Sequence, residues 1–123
     1  MALVFLYGTS LPGQPDHQWV ADLPSAPAIV HGVLWRSRRS RPALAPDPDG
    51  LPIRGLLVDI DPGRLTVMDM LETAGNEAIH RAPVRAAANL RSVEAQAWVL
   101  ATDHPERLGF RRIKTTDWTR VAP

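Results

Sequence analysis

The stretch Leu-Val-Phe-Leu-Tyr-Gly-Thr-Ser at residues 3–10 begins as an apolar and aromatic run and ends in a glycine turn. A short apolar run closed by glycine is typical of a buried β-strand that ends in a tight turn. Successive backbone N–H groups exposed in such a turn can hold a carboxylate without any cationic side chain. The sequence therefore predicts a buried strand over residues 3–7. The turn from Tyr7 to Ser10 is either a ligand site or only a turn.

Outward from this strand, the chain alternates short apolar runs with turns rich in proline, glycine and aspartate. Further strands are predicted at residues 28–35, 53–60, 78–87 and 93–101. The first of these has apolar residues on both sides, which predicts a central strand. Asp61 followed by Pro62 is typical of a helix start, and we expect this helix to run to about Glu72. A shorter helix is predicted over residues 16–23, with Trp19 on its inner face. The fold class predicted from these elements is α+β.

The composition indicates one globular domain over residues 1–123, since 45% of the residues are apolar and 22% are charged. The net charge of +1 does not predict binding to nucleic acid or membranes. The absence of cysteine excludes disulfides and thiolate chemistry, and the four histidines are too scattered to predict a metal site. No Walker, Rossmann or Gly-x-Ser-x-Gly pattern is present. The apolar N-terminal run is too short for a signal peptide, so we expect a cytoplasmic protein, monomeric or homodimeric, without metal or cofactor.

Two charged segments offer further candidate sites. The arginine-rich segment at residues 36–41 is either a solvated turn or a phosphate-binding patch, and it lacks the interleaved aromatic residues typical of nucleic-acid binding. Asp69 and Glu72 share one helical face near the negative end of the helix dipole. If one of these carboxyl groups is also buried, its pKa should rise and it could exchange protons near neutral pH. The alternative is a solvated acidic helix face.

Several short motifs, in this order, resemble the γ-glutamylcyclotransferase-like (AIG2-like) family. These are Leu-Val-Phe-Leu-Tyr-Gly-Thr at 3–9, Val-x-Gly-x-Leu at 30–34, Pro-Ala-Leu at 42–44, Ile-x-Gly-x-Leu-x-x-Ile at 53–60, Met-Asp-x-x-Glu at 68–72, Arg81, Ala-x-Ala-Trp-Val at 95–99 and Asp-Trp at 117–118. The resemblance spans nearly the whole chain. It implies a small mixed β-barrel with short flanking helices and a cavity at one mouth.

The resemblance also implies an enzyme that carries out an intramolecular cyclisation of acyltransferase or lyase type. The substrate would be a small γ-glutamyl amine or amide, whose own α-amine attacks the γ-carbonyl to give 5-oxoproline and a free amine. By resemblance, Glu72 is the catalytic residue and general acid/base, which agrees with the proton chemistry expected of a buried carboxyl group. The substrate-binding residues implied by the resemblance are Tyr7, Gly8, Thr9, Ser10 and Leu11.

The chain departs from the family's pattern at Ser10 and Pro12 in the turn, at Thr73 after the glutamate, at Ile79 before the arginine and at Thr116 in the tail. Pro12 lacks an N–H group that the turn could have used. These departures support an alternative hypothesis. The chain would then be a non-catalytic domain that binds a small molecule or a partner on the same fold.

Overall fold

Seven strands and one α-helix lie in the part of the chain that the computed structural model describes, residues 1–74 and 76–121. The strands are β1 (Ala2–Leu6), β2 (Ser25–Arg36), β3 (Pro42–Pro46), β4 (Leu51–Ile60), β5 (Ile79–Ala88), β6 (Arg91–Leu100) and β7 (Arg111–Ile113). The helix is α1 (Pro62–Thr73), and short 3₁₀ turns occur at His17–Trp19, Pro105–Leu108 and Trp118–Arg120. None of the helices within these ranges is long and apolar enough to cross a bilayer.

Five strands close into a barrel through the pairings β1–β4, β4–β2, β2–β5, β5–β6 and β6–β1. The β6–β1 pairing is parallel and the other four are antiparallel, so the barrel is mixed, as predicted. The two further strands, β3 and β7, pair with the second half of β2. The prediction that residues 28–35 form a central strand is confirmed, because β2 pairs with four other strands.

Both faces of β1 are buried, which explains its uninterrupted apolar sequence. Phe5 and the following Tyr7 point into the barrel interior, together with residues such as Leu44 and Ile53. Val4 and Leu6 point the other way, into a second apolar cluster beneath α1. Since side chains alternate along a strand, a strand between two cores can carry no polar position.

The helix α1 begins as the sequence predicts. The Asp61 carboxylate accepts a hydrogen bond from the Arg64 amide at 3.1 Å, and Pro62 occupies the first turn. Met68 is the buried residue of this helix, and Leu65 packs against the same cluster. Leu71 is exposed, so Glu72 continues the inward-facing stripe near the helix end.

The predicted helix over residues 16–23 is wrong. The segment forms successive tight turns, in which Trp19 donates to the Asp16 carbonyl and Val20 to the His17 carbonyl. Pro15 and Pro24 leave few residues between them for a helix to nucleate. Trp19 is 38% exposed rather than inward-facing, and the segment is anchored instead by the buried Val20.

Candidate active site

The carbonyl groups of the turn that follows β1 accept hydrogen bonds from other residues of the protein. The Gly8 carbonyl accepts from the Leu11 amide at 3.1 Å, and the Thr9 carbonyl accepts from the Asp16 amide at 2.8 Å. The Ser10 carbonyl lies 3.0 Å from Nδ1 of His17, which must carry a proton to donate to it. No hydrogen bond within residues 1–74 and 76–121 has the Thr9 or Ser10 amide as its donor. The turn therefore has free N–H donors of the kind that hold an anion.

Gly8 is required by the packing of this turn against β3. A Cβ atom at Gly8 would collide with the ring of Pro42. The contact brings the start of β3 directly over the turn. Gly8 and Pro42, both quoted in the family resemblance, are thus parts of one structural feature.

The Tyr7 side chain anchors the turn from inside the barrel. Its hydroxyl donates to the Trp98 carbonyl at 2.6 Å and accepts from the Leu44 amide at 3.0 Å. The ring stacks on Phe5 with centroids 6.1 Å apart. Burial, followed by the nearby charge of Glu72, raises the pKa of Tyr7 far above its usual range. The hydroxyl is therefore neutral and fully used, and it holds β1, β3 and β6 together.

Glu72 and the turn line the same small cavity. This cavity of 20 Å³ is large enough for about one water molecule. The residues that line it are Phe5, Leu6, Tyr7, Gly8, Thr9, Ser10, Pro42, Glu72 and Trp98. No cationic side chain is among them, so an anion bound here would depend on the backbone amides and hydroxyls.

A larger cavity of 790 Å³ lies next to the small one, since Tyr7, Pro42 and Glu72 line both. It continues along the end of α1 to the turn between β2 and β3. Glu72 therefore lies where a narrow recess meets a wide one. This is the geometry expected for a group that acts between two halves of a substrate.

The environment of Glu72 favours proton exchange. Burial raises the pKa of its carboxyl group, the charge of Arg41 opposes this, and Asp16 adds a smaller raising effect. Arg41 is itself paired with Asp16, at 3.3 Å, so its charge is shared. The Glu72 carboxyl has no hydrogen bond or ion pair with any residue that the structure describes. It is half-buried and free to bind or release a proton.

Asp69, the other acidic residue of this helical face, has a structural role. Its Oδ1 accepts hydrogen bonds from Nε1 of Trp98 and Nε of Arg81, both at 2.9 Å. Arg81 also donates to the Gln96 side chain. Asp69 therefore fixes Trp98, which forms one wall of the small cavity. The spacing of Asp69 and Glu72 predicts a shared helical face but not this interaction with Trp98, which joins residues 29 positions apart in the chain.

The five residues predicted to bind substrate do not all line the small cavity. Tyr7, Gly8, Thr9 and Ser10 line the small cavity together with Glu72. Leu11 lines neither cavity, since its amide is used by the Gly8 carbonyl and its side chain lies in the cluster beneath α1. Ser10 is 4% exposed, and its hydroxyl has no partner among the described residues.

The fold accommodates the other departures from the family's pattern. Pro12 is exposed and lies outside both cavities, so its missing N–H leaves the cavity linings unaffected. The Thr73 hydroxyl donates to the Asp69 carbonyl at 2.6 Å, and the Thr116 carbonyl accepts from the Arg54 amide at 2.7 Å. Ile79 is buried and lines the larger cavity.

Comparison with known proteins places the chain in a family. The family described as "Gamma-glutamyl cyclotransferase, AIG2-like" matches residues 4–120. No functionally curated protein matches the chain in sequence.

Solved structures with the same fold include an AIG2-like protein from Mus musculus and PH0828 from Pyrococcus horikoshii. The mouse protein is 23% identical with a TM-score of 0.72, over 92% of this chain and 86% of its own. PH0828 is 15% identical with a TM-score of 0.70, over 96% of this chain and 90% of its own. YkqA from Bacillus subtilis is 18% identical with a TM-score of 0.72, and 95% of this chain covers only 39% of YkqA. The fold and the family match agree: the chain belongs to the gamma-glutamyl cyclotransferase, AIG2-like family.

Proposed function

We propose that the protein is a γ-glutamyl cyclotransferase that converts a γ-glutamyl amine or amide into 5-oxoproline and a free amine. The observation that carries this proposal is the small cavity shared by the turn at Gly8–Ser10 and the unpaired carboxyl group of Glu72. A γ-glutamyl group carries an α-carboxylate, an α-ammonium and a γ-carbonyl. The cavity lining contains candidate donors for the first and a candidate acceptor for the second.

The turn suits the α-carboxylate. The free amides of Thr9 and Ser10 are neutral donors in a region without cationic side chains. Held in this way, the carboxylate leaves the α-ammonium close to Glu72. The substrate is then fixed in a bent conformation, in which its own nitrogen approaches the γ-carbonyl. Orientation of this kind replaces the need for a protein nucleophile.

Glu72 can carry the proton transfers. The ionised carboxylate accepts one proton from the α-ammonium, and the resulting amine attacks the γ-carbonyl to form the lactam C–N bond. The protonated Glu72 then donates to the leaving nitrogen as the bond from the γ-carbon to that nitrogen breaks. One ammonium hydrogen remains on the lactam and two end on the released ammonium, the second through solvent. A raised pKa suits a group that must both accept and donate.

The experiment is a cyclisation assay with γ-glutamyl amines, with 5-oxoproline as the measured product. We expect the Glu72→Gln variant to lose about 10²–10⁴-fold in kcat, the usual contribution of a general acid/base. Glu77→Gln is the matched control, since Glu77 lines the larger cavity but not the small one. Its activity should stay within a few-fold of the wild type.

A folded wild-type protein that binds γ-glutamyl compounds without turnover would contradict the proposal. That result would favour the non-catalytic binding domain instead. Retained activity in the folded Glu72→Gln variant would contradict the role of Glu72 alone.

A further inference from the structure

Two segments of the chain carry most of its positive charge. Residues 36–41 and 107–114 hold eight of the 14 lysine and arginine residues and none of the 13 aspartate and glutamate residues. The rest of the chain therefore has six cationic side chains against 13 carboxylates, a formal charge of −7. The net charge of +1 hides this separation, because a basic and an acidic part of the molecule nearly cancel.

The fold brings these two basic segments together, although they lie far apart in the chain. β7 pairs with the end of β2, and the register places Arg36 beside Arg111. Arg112, the next residue, lies on the opposite face of the sheet, because side chains alternate along a strand. Gly109 lies against the Arg38 side chain, since a Cβ atom there would collide with its Nε. The cations of the two segments form what we call the basic surface, which comprises Arg36, Arg38, Arg39, Arg41, Arg107, Arg111, Arg112 and Lys114.

Most cations of the basic surface have no acidic partner. Arg41 is paired with Asp16 at 3.3 Å. The cations that are exposed and form no ion pair within the described part of the chain are Arg38, Arg39, Arg107, Arg111, Arg112 and Lys114. Glu106 directly precedes the second segment, and within the same described ranges it pairs with none of them. Like charges held close together repel each other, so an anionic partner would relieve a repulsion that is present in the free protein.

The composition of the basic surface favours one class of anionic partner. Protein interfaces have apolar and aromatic centres, and segments that bind membrane surfaces insert apolar side chains. Among the large apolar side chains of the two segments, only Leu108 is exposed, at 51%, whereas Phe110 is buried. Interfaces with nucleic acids are polar and strongly positive, and guanidinium groups bind phosphates through paired N–H donors. Single strands stack on exposed aromatic rings, which these two segments lack, so a duplex fits best.

We propose that the basic surface binds the phosphate backbone of a nucleic-acid duplex, without preference for its sequence. Phosphate contacts position a protein on a duplex but carry no sequence information. The surface is built from turns and the ends of strands, so it offers no α-helix to read base edges in the major groove. Its cations lie on both faces of β7, so several phosphates can be contacted at once. This binding does not depend on the proposed cyclotransferase activity.

The experiment measures the fluorescence anisotropy of labelled DNA duplexes of about 20 base pairs, in two unrelated sequences, between about 50 and 200 mM salt. We expect the same affinity for both sequences. The logarithm of the association constant should fall with the logarithm of the salt concentration, with a slope of about −3 to −5. Such a slope corresponds to roughly four to six neutralised phosphates. Absence of binding at the lowest salt concentration, or a slope near zero, would overturn the proposal.

Variants on β7 identify the residues responsible without changing either cavity. Arg111 and Arg112 are exposed and line neither cavity. Arg111→Gln and Arg112→Gln should each weaken binding by about tenfold at the lowest salt concentration and make the slope shallower by about one. The matched control is the double variant Arg85→Gln and Arg91→Gln, because it removes two exposed cations from the hairpin of β5 and β6. Its slope should equal that of the wild type.

Three further results would overturn the proposal. The first is unchanged binding by the variants on β7, and the second is an equal loss in the control double variant, which would assign the effect to net charge. The third is tighter binding to a single strand or to polyglutamate than to the duplex, or binding to phosphatidylserine vesicles without binding to the duplex. If urea denaturation shows that a β7 variant is unfolded, Arg107→Gln and Lys114→Gln remove the same charge outside β7 and should give the same losses.

Discussion

Replacement of Tyr7 by Phe should destabilise the protein far more than the loss of one hydroxyl normally does. The hydroxyl satisfies two buried backbone groups, the Leu44 amide and the Trp98 carbonyl. Phe fills the same space but leaves both groups unpaired, and each unpaired group costs about 1–3 kcal/mol. We expect the free energy of unfolding to fall by about 2–4 kcal/mol. For a chain of this length, that corresponds to a decrease in Tm of roughly 8–16 °C.

Ser10→Ala is the matched control for this measurement. It also removes a hydroxyl from a buried residue, but this hydroxyl has no partner among the described residues and its oxygen is not itself fully buried. Its unfolding free energy should stay within about 0.5 kcal/mol of the wild type. The measurement is urea denaturation at neutral pH, monitored by tryptophan fluorescence. A loss below about 1 kcal/mol for Tyr7→Phe, or an equal loss for Ser10→Ala, would refute the reasoning.

Three further predictions concern titratable groups. Tyr7 is the only tyrosine, so the tyrosinate absorbance during an alkaline titration reports this residue alone. Because burial raises the pKa of Tyr7, we expect its phenolate to form only as the protein unfolds. Phenolate in the folded protein would contradict this. The raised pKa of Glu72 means that the folded protein binds more protons than the unfolded chain above about pH 4, so stability is lost as pH rises through the folded pKa. Glu72→Gln should therefore stabilise the protein more at pH 7 than at pH 4 in urea denaturation, and equal effects at both pH values would contradict this. Asp69→Asn weakens a partly exposed ion pair with Arg81, so the free energy of unfolding should fall by about 1 kcal/mol or less. The rate of cyclisation should stay largely intact, in contrast to Glu72→Gln. A loss of kcat comparable to that of Glu72→Gln would show that Asp69 also acts in the reaction.

Local sequence signals predicted the elements whose structure is determined locally. The Asp61-Pro62 helix start and the buried strand at residues 3–7 are both set by their own residues. The strands predicted at residues 78–87 and 93–101 are also present as β5 and β6, and they form a hairpin with Asn89 and Leu90 both at positive φ. A turn of this type matches the twist of the two strands.

Elements that depend on distant partners were not predicted. β3 is five residues long with proline at both ends, and β7 has three residues. Proline within a short run argues against a strand, and both strands exist because β2 supplies hydrogen bonds along its second half. The interactions of the Tyr7 hydroxyl join residues 37 and 91 positions apart, which no local pattern records.

The candidate site also combines features that local sequence predicts with features that depend on distant residues. Family resemblance indicated Glu72 and the glycine turn, but composition alone left the arginine-rich segment open as a solvated turn or a phosphate site. Its position on the wall of the larger cavity follows from the pairing of β2 with β3. Spacing placed Asp69 and Glu72 on one helical face and could not distinguish their roles. The difference lies in the neighbouring strands, which supply Trp98 and Arg81 to only one of the two carboxylates.

The difference in hydrogen bonding between Asp69 and Glu72 is the strongest physical argument for a reaction. A protein selected only for stability would pair both acids or expose both, because a half-buried carboxyl group without a partner is costly. Here Asp69, held by two donors, keeps the wall of the small cavity in place. Glu72 lacks such donors among the described residues and lines the same cavity as Thr9 and Ser10, whose amides are free. A substrate with an ammonium and a carboxylate on the same carbon atom would pair with the Glu72 carboxylate and with the free amides at once. The energetic cost of the unpaired groups would then become binding energy for the substrate.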